Sequence, residues 1–184
     1  MKQLWIIGDS FSTNMSVESW INQLPEKYII TNLSMNGVSQ YRLYRMFLDV
    51  REDFQPGDTV IFCHTNPNRI YLPDHTPYPT RLTSSHSNCD LVLGDVDRHG
   101  IFWRFISYVF IKYFYDEEYY NKVYDLMIKE MNSIQDCKII NISGFVSRSP
   151  IIGIKDIFDQ HRGNINHLTI EGNRLVAERI SKLL

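Results

Sequence analysis

At 184 residues, with 43% hydrophobic and 22% charged content, the chain has the size and balance of one globular domain with a sizeable core. Nineteen basic residues against 21 acidic ones leave a formal net charge of −2, and the basic residues are scattered rather than striped, so no nucleic-acid or anionic-membrane partner is expected. No apolar run has transmembrane length, and Cys63, Cys89 and Cys137 show neither a CxxC nor a metal-ligand spacing, so neither a disulfide framework nor a metal site is expected.

Met1-Lys2 leads straight into the apolar run Leu4-Trp5-Ile6-Ile7, which is too short for a signal-peptide core. The expectation is a cytoplasmic or otherwise unexported protein. Residues 3–7 read as a strand buried on both faces. The spacing of Val17, Trp20, Ile21 and Leu24 predicts a helix over 16–24, stopped by Pro25. Residues 28–33 read as a second strand, and Asn36-Gly37 as a turn. A helix over 41–53 turns Leu43, Phe47 and Val50 inward, and Pro56-Gly57-Asp58 leads into a third strand over 59–63. This β-α-β-α-β order is the signature of an α/β fold with a parallel sheet covered by helices.

The stretch 67–99 breaks the pattern. It holds Pro67, Pro73, Pro77 and Pro79 with little periodicity, and an irregular insertion of that length is often functional. Residues 100–134 read as one long helix or two consecutive ones, rich in Phe and Tyr. A strand over 138–142, an irregular stretch 143–163 with a short edge strand near 151–154, and a closing helix over 169–184 follow. No repeat or linker splits the chain, so 1–184 reads as a single domain. Nothing in the sequence fixes an oligomeric state.

The chemistry starts at Ser10, where the first strand ends. In open α/β sheets, ligands bind outside the carboxyl ends of the strands. A serine there is either a nucleophile or a plain helix cap, and a nucleophile needs a base and an oxyanion hole. His167 is the base candidate by position, since it ends a glycine-bearing loop and opens the last helix. Its competing reading is a surface histidine capping that helix, and His64, His75, His86, His99 and His161 are rival bases. Gly37 suits a backbone oxyanion donor or simply a turn. Asn66 offers a side-chain amide or simply a turn before Pro67.

Four blocks then resemble those of the SGNH (GDSL-like) hydrolases. Gly8-Asp9-Ser10-Phe11-Ser12 is similar to the first. Asn32-Leu33-Ser34-Met35-Asn36-Gly37 is similar to the second, and Cys63-His64-Thr65-Asn66 falls at the third. Asn164-Ile165-Asn166-His167-Leu168, with Gly172 behind it, resembles the last. The resemblance implies a three-layer α/β/α sandwich with a flavodoxin-like parallel sheet of about five strands, the fifth supplied by the resemblance. It implies Ser10 as nucleophile and His167 as base. It further implies oxyanion donors from the N–H of Ser10, the N–H of Gly37 and the amide of Asn66. Asp9 would support the turn, and no metal or cofactor is called for.

The departures from the family pattern are His64 for a glycine, Pro67 for an aspartate, and Asn164 for the aspartate that orients the base. Asn68 could take the role of Asn66. Asn164 leaves three outcomes open: a Ser10–His167 dyad oriented by a carbonyl, a carboxylate supplied by Asp159 or Asp156, or a feeble catalyst. The function implied is a serine esterase. Its substrate would be a small-molecule or carbohydrate ester, with an O-acetyl group on a sugar suggested by Tyr71, Tyr78, Phe102 and Trp103 in and after the insertion. Short-chain lipid esters, or an ester whose anionic group meets Arg69 or Arg81, are further options. A catalytically degenerate binding or assembly module of the same fold is the alternative. A nucleotide-binding flavodoxin-like protein is a weaker rival, because no GxGxxG or GxxxxGK[ST] occurs.

Overall fold

The computed structural model describes residues 2–13, 16–71, 90–92, 101–147, 149–163 and 167–184. Asn164, His75, His86, His99, Tyr78, Arg81 and Cys89 lie outside those residues, as does most of the 67–99 insertion. In chain order the elements are β1 (Lys2–Gly8), β2 (Tyr28–Asn32), α1 (Gln40–Val50), β3 (Thr59–Cys63), β4 (Arg69–Ile70) and β5 (Leu91–Val92). They continue with α2 (Ile101–Tyr113), α3 (Glu117–Met131), β6 (Lys138–Ser143), β7 (Ile152–Gly153), α4 (Lys155–Gln160) and α5 (Ile170–Ser181).

Five strands form one parallel sheet in the order β2-β1-β3-β6-β7, and β4 and β5 form a separate antiparallel ribbon. The sheet order is the flavodoxin-like one, in which the order of strand addition reverses between β1 and β3 while the strands stay parallel. Gly8 pairs with Cys63, and Cys63 with Ile142, so the carboxyl ends of the three central strands line up at one edge.

Alternation along the strands sorts the core into two faces. Leu4, Ile6, Ile61, Ile140 and Ile142 pack with Trp20, Ile21, Ile157, Val176 and Ile180, which places α4 and α5 on one side. Ile7, Val60 and Phe62 pack with Leu43, Phe47 and Met131, which places α1 and α3 on the other. The result is a three-layer α/β/α sandwich. Among the described residues, no helix is long and apolar enough to cross a membrane.

Two expectations change, and the choice left open for 100–134 is decided. The helix over 16–24 is only a 3-10 turn, Trp20–Gln23. The Trp20 N–H, which a helix would aim at Ser16, donates instead to Asn173 Oδ1 at 3.1 Å. The Ser16 carbonyl is taken by the Ser19 N–H and by Asn22 Nδ2, both at 3.0 Å, and Val17 stands 90% exposed. The stretch 143–163 contains α4, whose six residues bury only Ile157 and Phe158, too few to show a period. The 100–134 region is two helices, broken where Asp116 accepts from the Tyr119 N–H at 3.0 Å and caps α3.

Candidate active site

The β1 strand ends at Gly8, where a Cβ would overlap Ser12 Oγ and Cys63 Cβ. Only a glycine lets the chain turn that close to β3. Asp9 is 1% exposed and caps the turn that follows, its Oδ1 accepting from the Phe11 N–H at 3.1 Å. The Asp9 carbonyl accepts from both the N–H and the Oγ of Ser12, each at 3.0 Å. Ser10 is the first residue of this turn and is half-buried. Burial pushes the Asp9 carboxyl above its usual range, and the guanidinium of Arg69, with Nη1 at 4.0 Å from Oδ2, opposes that rise.

The loop after β2 is laced to the same turn. Asn32 Nδ2 donates to the Ser12 carbonyl at 2.8 Å, the Met35 N–H to the Gly8 carbonyl at 3.0 Å, and Thr13 Oγ1 to Asn36 Oδ1 at 3.1 Å. These bonds tie the loop that carries Asn36-Gly37 to the chain on both sides of Ser10. Gly37 sits at φ 69°, the left-handed region.

At the end of β3, Asn66 Oδ1 accepts from the Asn68 N–H at 2.9 Å. That bond fixes Oδ1 as the acceptor of the amide and Nδ2 as its donor. Asn68 itself is held by Tyr115, whose hydroxyl donates to Asn68 Oδ1 at 2.7 Å.

The residues on either side of 164–166 are tied to one another before α5. The Gly163 N–H donates to the His167 carbonyl at 2.6 Å, the Thr169 N–H to the His161 carbonyl at 2.8 Å, and Arg162 bridges Leu168. Thr169 Oγ1 caps α5 by accepting from the Gly172 N–H at 3.2 Å. His167 is half-buried, and its ring centroid lies 6.2 Å from that of Phe11, the neighbour of Ser10. Phe11 in turn packs edge-on against Phe145 and Phe158, with centroids 5.3 and 5.0 Å away.

His64, one of the rival bases, is built into the core. It is 2% exposed, with Nδ1 2.9 Å from Gln40 Nε2 and Nε2 2.8 Å from Asn141 Oδ1. Asn141 Nδ2 donates to Asn132 Oδ1 at 2.7 Å, so Asn141 Oδ1 is the acceptor and His64 Nε2 carries the proton. Burial lowers the His64 pKa to about 4, so the ring is neutral. The sequence signal for this network was a polar residue inside otherwise apolar strand ends: His64 after β3 and Asn141 within β6.

The two spare carboxylates are engaged on the outer surface. Asp159 pairs with Lys155 one turn earlier on α4, both more than half exposed. Asp156 accepts twice from Arg179, at 2.8 and 2.6 Å, which holds its carboxyl down to about 2. Arg69 is directed inward, donating from Nη1 to the Val38 carbonyl at 3.0 Å.

No protein-family model and no curated protein matches the chain. A solved structure, "Crystal structure of the lipase/acylhydrolase from Enterococcus faecalis", aligns over 100% of this chain and 95% of that one, at 11% identity and a TM-score of 0.42. A likeness that slight carries no argument about activity, and the functional reading rests on the site itself.

Proposed function

We propose that the chain is a serine esterase of the SGNH type. The observation that supports this best is convergence on one turn. The Asn36-Gly37 turn is hydrogen-bonded to residues 8–13, β3 pairs beside Gly8, and His167 reaches Phe11 from the far end of the chain. Asp9 caps this turn, so Ser10 is not required as its cap, and a base and backbone donors nearby are what a nucleophile would use.

In this reading His167 takes the proton of Ser10 Oγ as it attacks an ester carbonyl. The oxyanion is met by the N–H groups of Ser10 and Gly37 and by Asn66 Nδ2. His167 then protonates the leaving alcohol, and water attacks the acyl-enzyme to release the acid. Asp9 keeps the turn in shape. In the sequence of the last block Asn164 takes the position of the acid that would orient the base, and its side-chain carbonyl is the group proposed to accept from the imidazole.

The substrate proposed is an O-acyl group, acetyl first, on a carbohydrate. Tyr41 and Tyr71 meet edge to face with centroids 4.9 Å apart beside Arg42, just past the Gly37 turn. Such a platform suits the apolar face of a sugar ring. The second reading, a degenerate binding module, draws on the departures at Asn164, His64 and Pro67.

A fluorophosphonate probe, with the modified residue read by mass spectrometry, tests the proposal. The expected result is labelling at Ser10 that disappears in Ser10→Ala and His167→Ala. No labelling of the folded protein would turn the reading to the binding module.

A further inference from the structure

The root of the 67–99 insertion grips the Gly37 turn from both sides. β4 and β5 pair antiparallel, Arg69 with Val92 and Ile70 with Leu91. Asp90, immediately before β5, is 2% exposed. Its N–H donates to the Gly37 carbonyl at 2.8 Å, and its Oδ2 accepts from the Ser39 N–H at 2.7 Å. Arg42 closes on the same carboxylate, Nε to Oδ2 at 3.3 Å and Nη2 to Oδ1 at 3.2 Å. From β4, Arg69 Nη1 donates to the Val38 carbonyl at 3.0 Å.

Gly37, Val38 and Ser39 thus each carry a hydrogen bond to the ribbon. Asn36, on the other side of Gly37, is held by Thr13. The peptide planes on either side of Val38 are fixed by Asp90, one through its N–H and one through its carboxylate. A glycine at φ 69° has no side chain of its own to hold it there. An oxyanion donor has to be held within about 0.5 Å of its working position. The carboxylate of Asp90 restrains the turn at Ser39 from outside the main sheet, with Arg42 orienting it.

We infer that Asp90 is a positioning residue for the oxyanion turn, acting on Gly37 through its backbone N–H and on Ser39 through its carboxylate, and that the residues at the root of the insertion therefore help to build the site. The inference rests on the esterase reading for its effect on rate, but not for its effect on the turn.

The test compares wild type with Asp90→Ala, Asp90→Glu and Asp90→Asn. It reads kcat and KM on 4-nitrophenyl acetate together with amide hydrogen exchange at Gly37, Val38 and Ser39. Asp90→Ala is expected to speed exchange at those amides and to lower kcat by about 10²-fold, with KM changed by less than about twofold. Asp90→Asn, which keeps an oxygen for the Ser39 N–H, recovers most of both. If the alanine variant does not fold, Asp90→Glu displaces the carboxylate by one methylene and carries the same expectation. A folded variant of either kind with wild-type exchange at 37–39, or with wild-type kcat, overturns the inference. If wild type turns over no ester, the esterase reading fails, and the exchange measurement alone decides whether Asp90 holds the turn.

Discussion

Phe11 and His167, from opposite ends of the chain, bring their rings to 6.2 Å between centroids at a tilt of 38°. Phe11 is the residue through which the Ser10 turn meets the loop before α5. Its backbone N–H holds the Asp9 carboxylate, its carbonyl accepts from Trp20 Nε1 at 2.7 Å, and its ring sits among Phe145, Phe158 and His167. Truncating that ring leaves the Asp9 cap intact and removes the surface that His167 packs beside. Phe11→Ala is expected to cost about 3 kcal/mol, the low end for losing a packed phenyl, because the ring is only partly buried. In the esterase reading, kcat falls further than that loss of stability explains. Thermal melts beside ester turnover check this, and a variant destabilised with unchanged kcat would show that Phe11 only packs.

Gly8 is the second point of leverage. A methyl group there meets Ser12 Oγ and Cys63 Cβ at once, and Cys63 cannot withdraw because β3 is paired on both sides. Gly8→Ala is expected to destabilise by about 1–3 kcal/mol through overpacking. Adding Ser12→Ala should recover only a minor part, since Cys63 remains. Chemical denaturation of the single and double variants measures this. Full recovery in the double variant would place the whole strain on Ser12.

Much of this frame is legible in the sequence. The apolar runs of β1 and β3 have no alternative partner but a buried sheet, and the glycine, proline and asparagine between them mark where the chain turns. The short elements are not legible. α4 buries too few residues to print a helical period, and the 16–24 stretch follows tertiary hydrogen bonds to Asn173 and Phe11 that no local pattern encodes. Ser10, Gly37, Asn66 and His167 stand out because they follow strand ends or open helices. Asp90 and Arg42 do not, because a buried ion pair between an insertion and a helix leaves no trace in spacing. His64 stood out for the wrong reason. Its place after β3 suggests chemistry, while its burial between Gln40 and Asn141 makes it a structural joint.

That joint titrates. The native state binds His64 neutral, with its pKa lowered to about 4, whereas the unfolded chain has the ordinary value of 6.5. A group depressed in this way contributes its full stabilisation above pH 6.5 and loses it as pH falls from there towards about 4. The interval corresponds to about 3 kcal/mol as an order of magnitude. The buried Asp9 carboxyl, raised by desolvation, works in the opposite direction, so the comparison has to be made against a variant that lacks only the imidazole. Guanidinium unfolding at about pH 7.5 and about pH 4.5 should show wild type losing more stability on acidification than His64→Gln. Equal losses would assign the acid sensitivity to other groups.

The last prediction concerns Asn164. An imidazole that takes a proton from Ser10 becomes a cation, and a carboxylate on its other nitrogen stabilises that cation where an amide cannot. An amide also presents an NH₂ group, which favours the wrong tautomer. In serine proteases, exchanging the aspartate in this role for asparagine costs about 10⁴ in turnover. If Asn164 holds the corresponding place here, Asn164→Asp is expected to raise kcat on 4-nitrophenyl acetate by at least about tenfold with KM little changed, and to speed fluorophosphonate labelling of Ser10. The gain should vanish in the Asn164→Asp/His167→Ala double variant, because the carboxylate acts only through the ring. A gain that survives the loss of His167 would mean the new acid works on something else. No gain at all, in a protein that already labels at Ser10, would mean that a carbonyl suffices to orient this base.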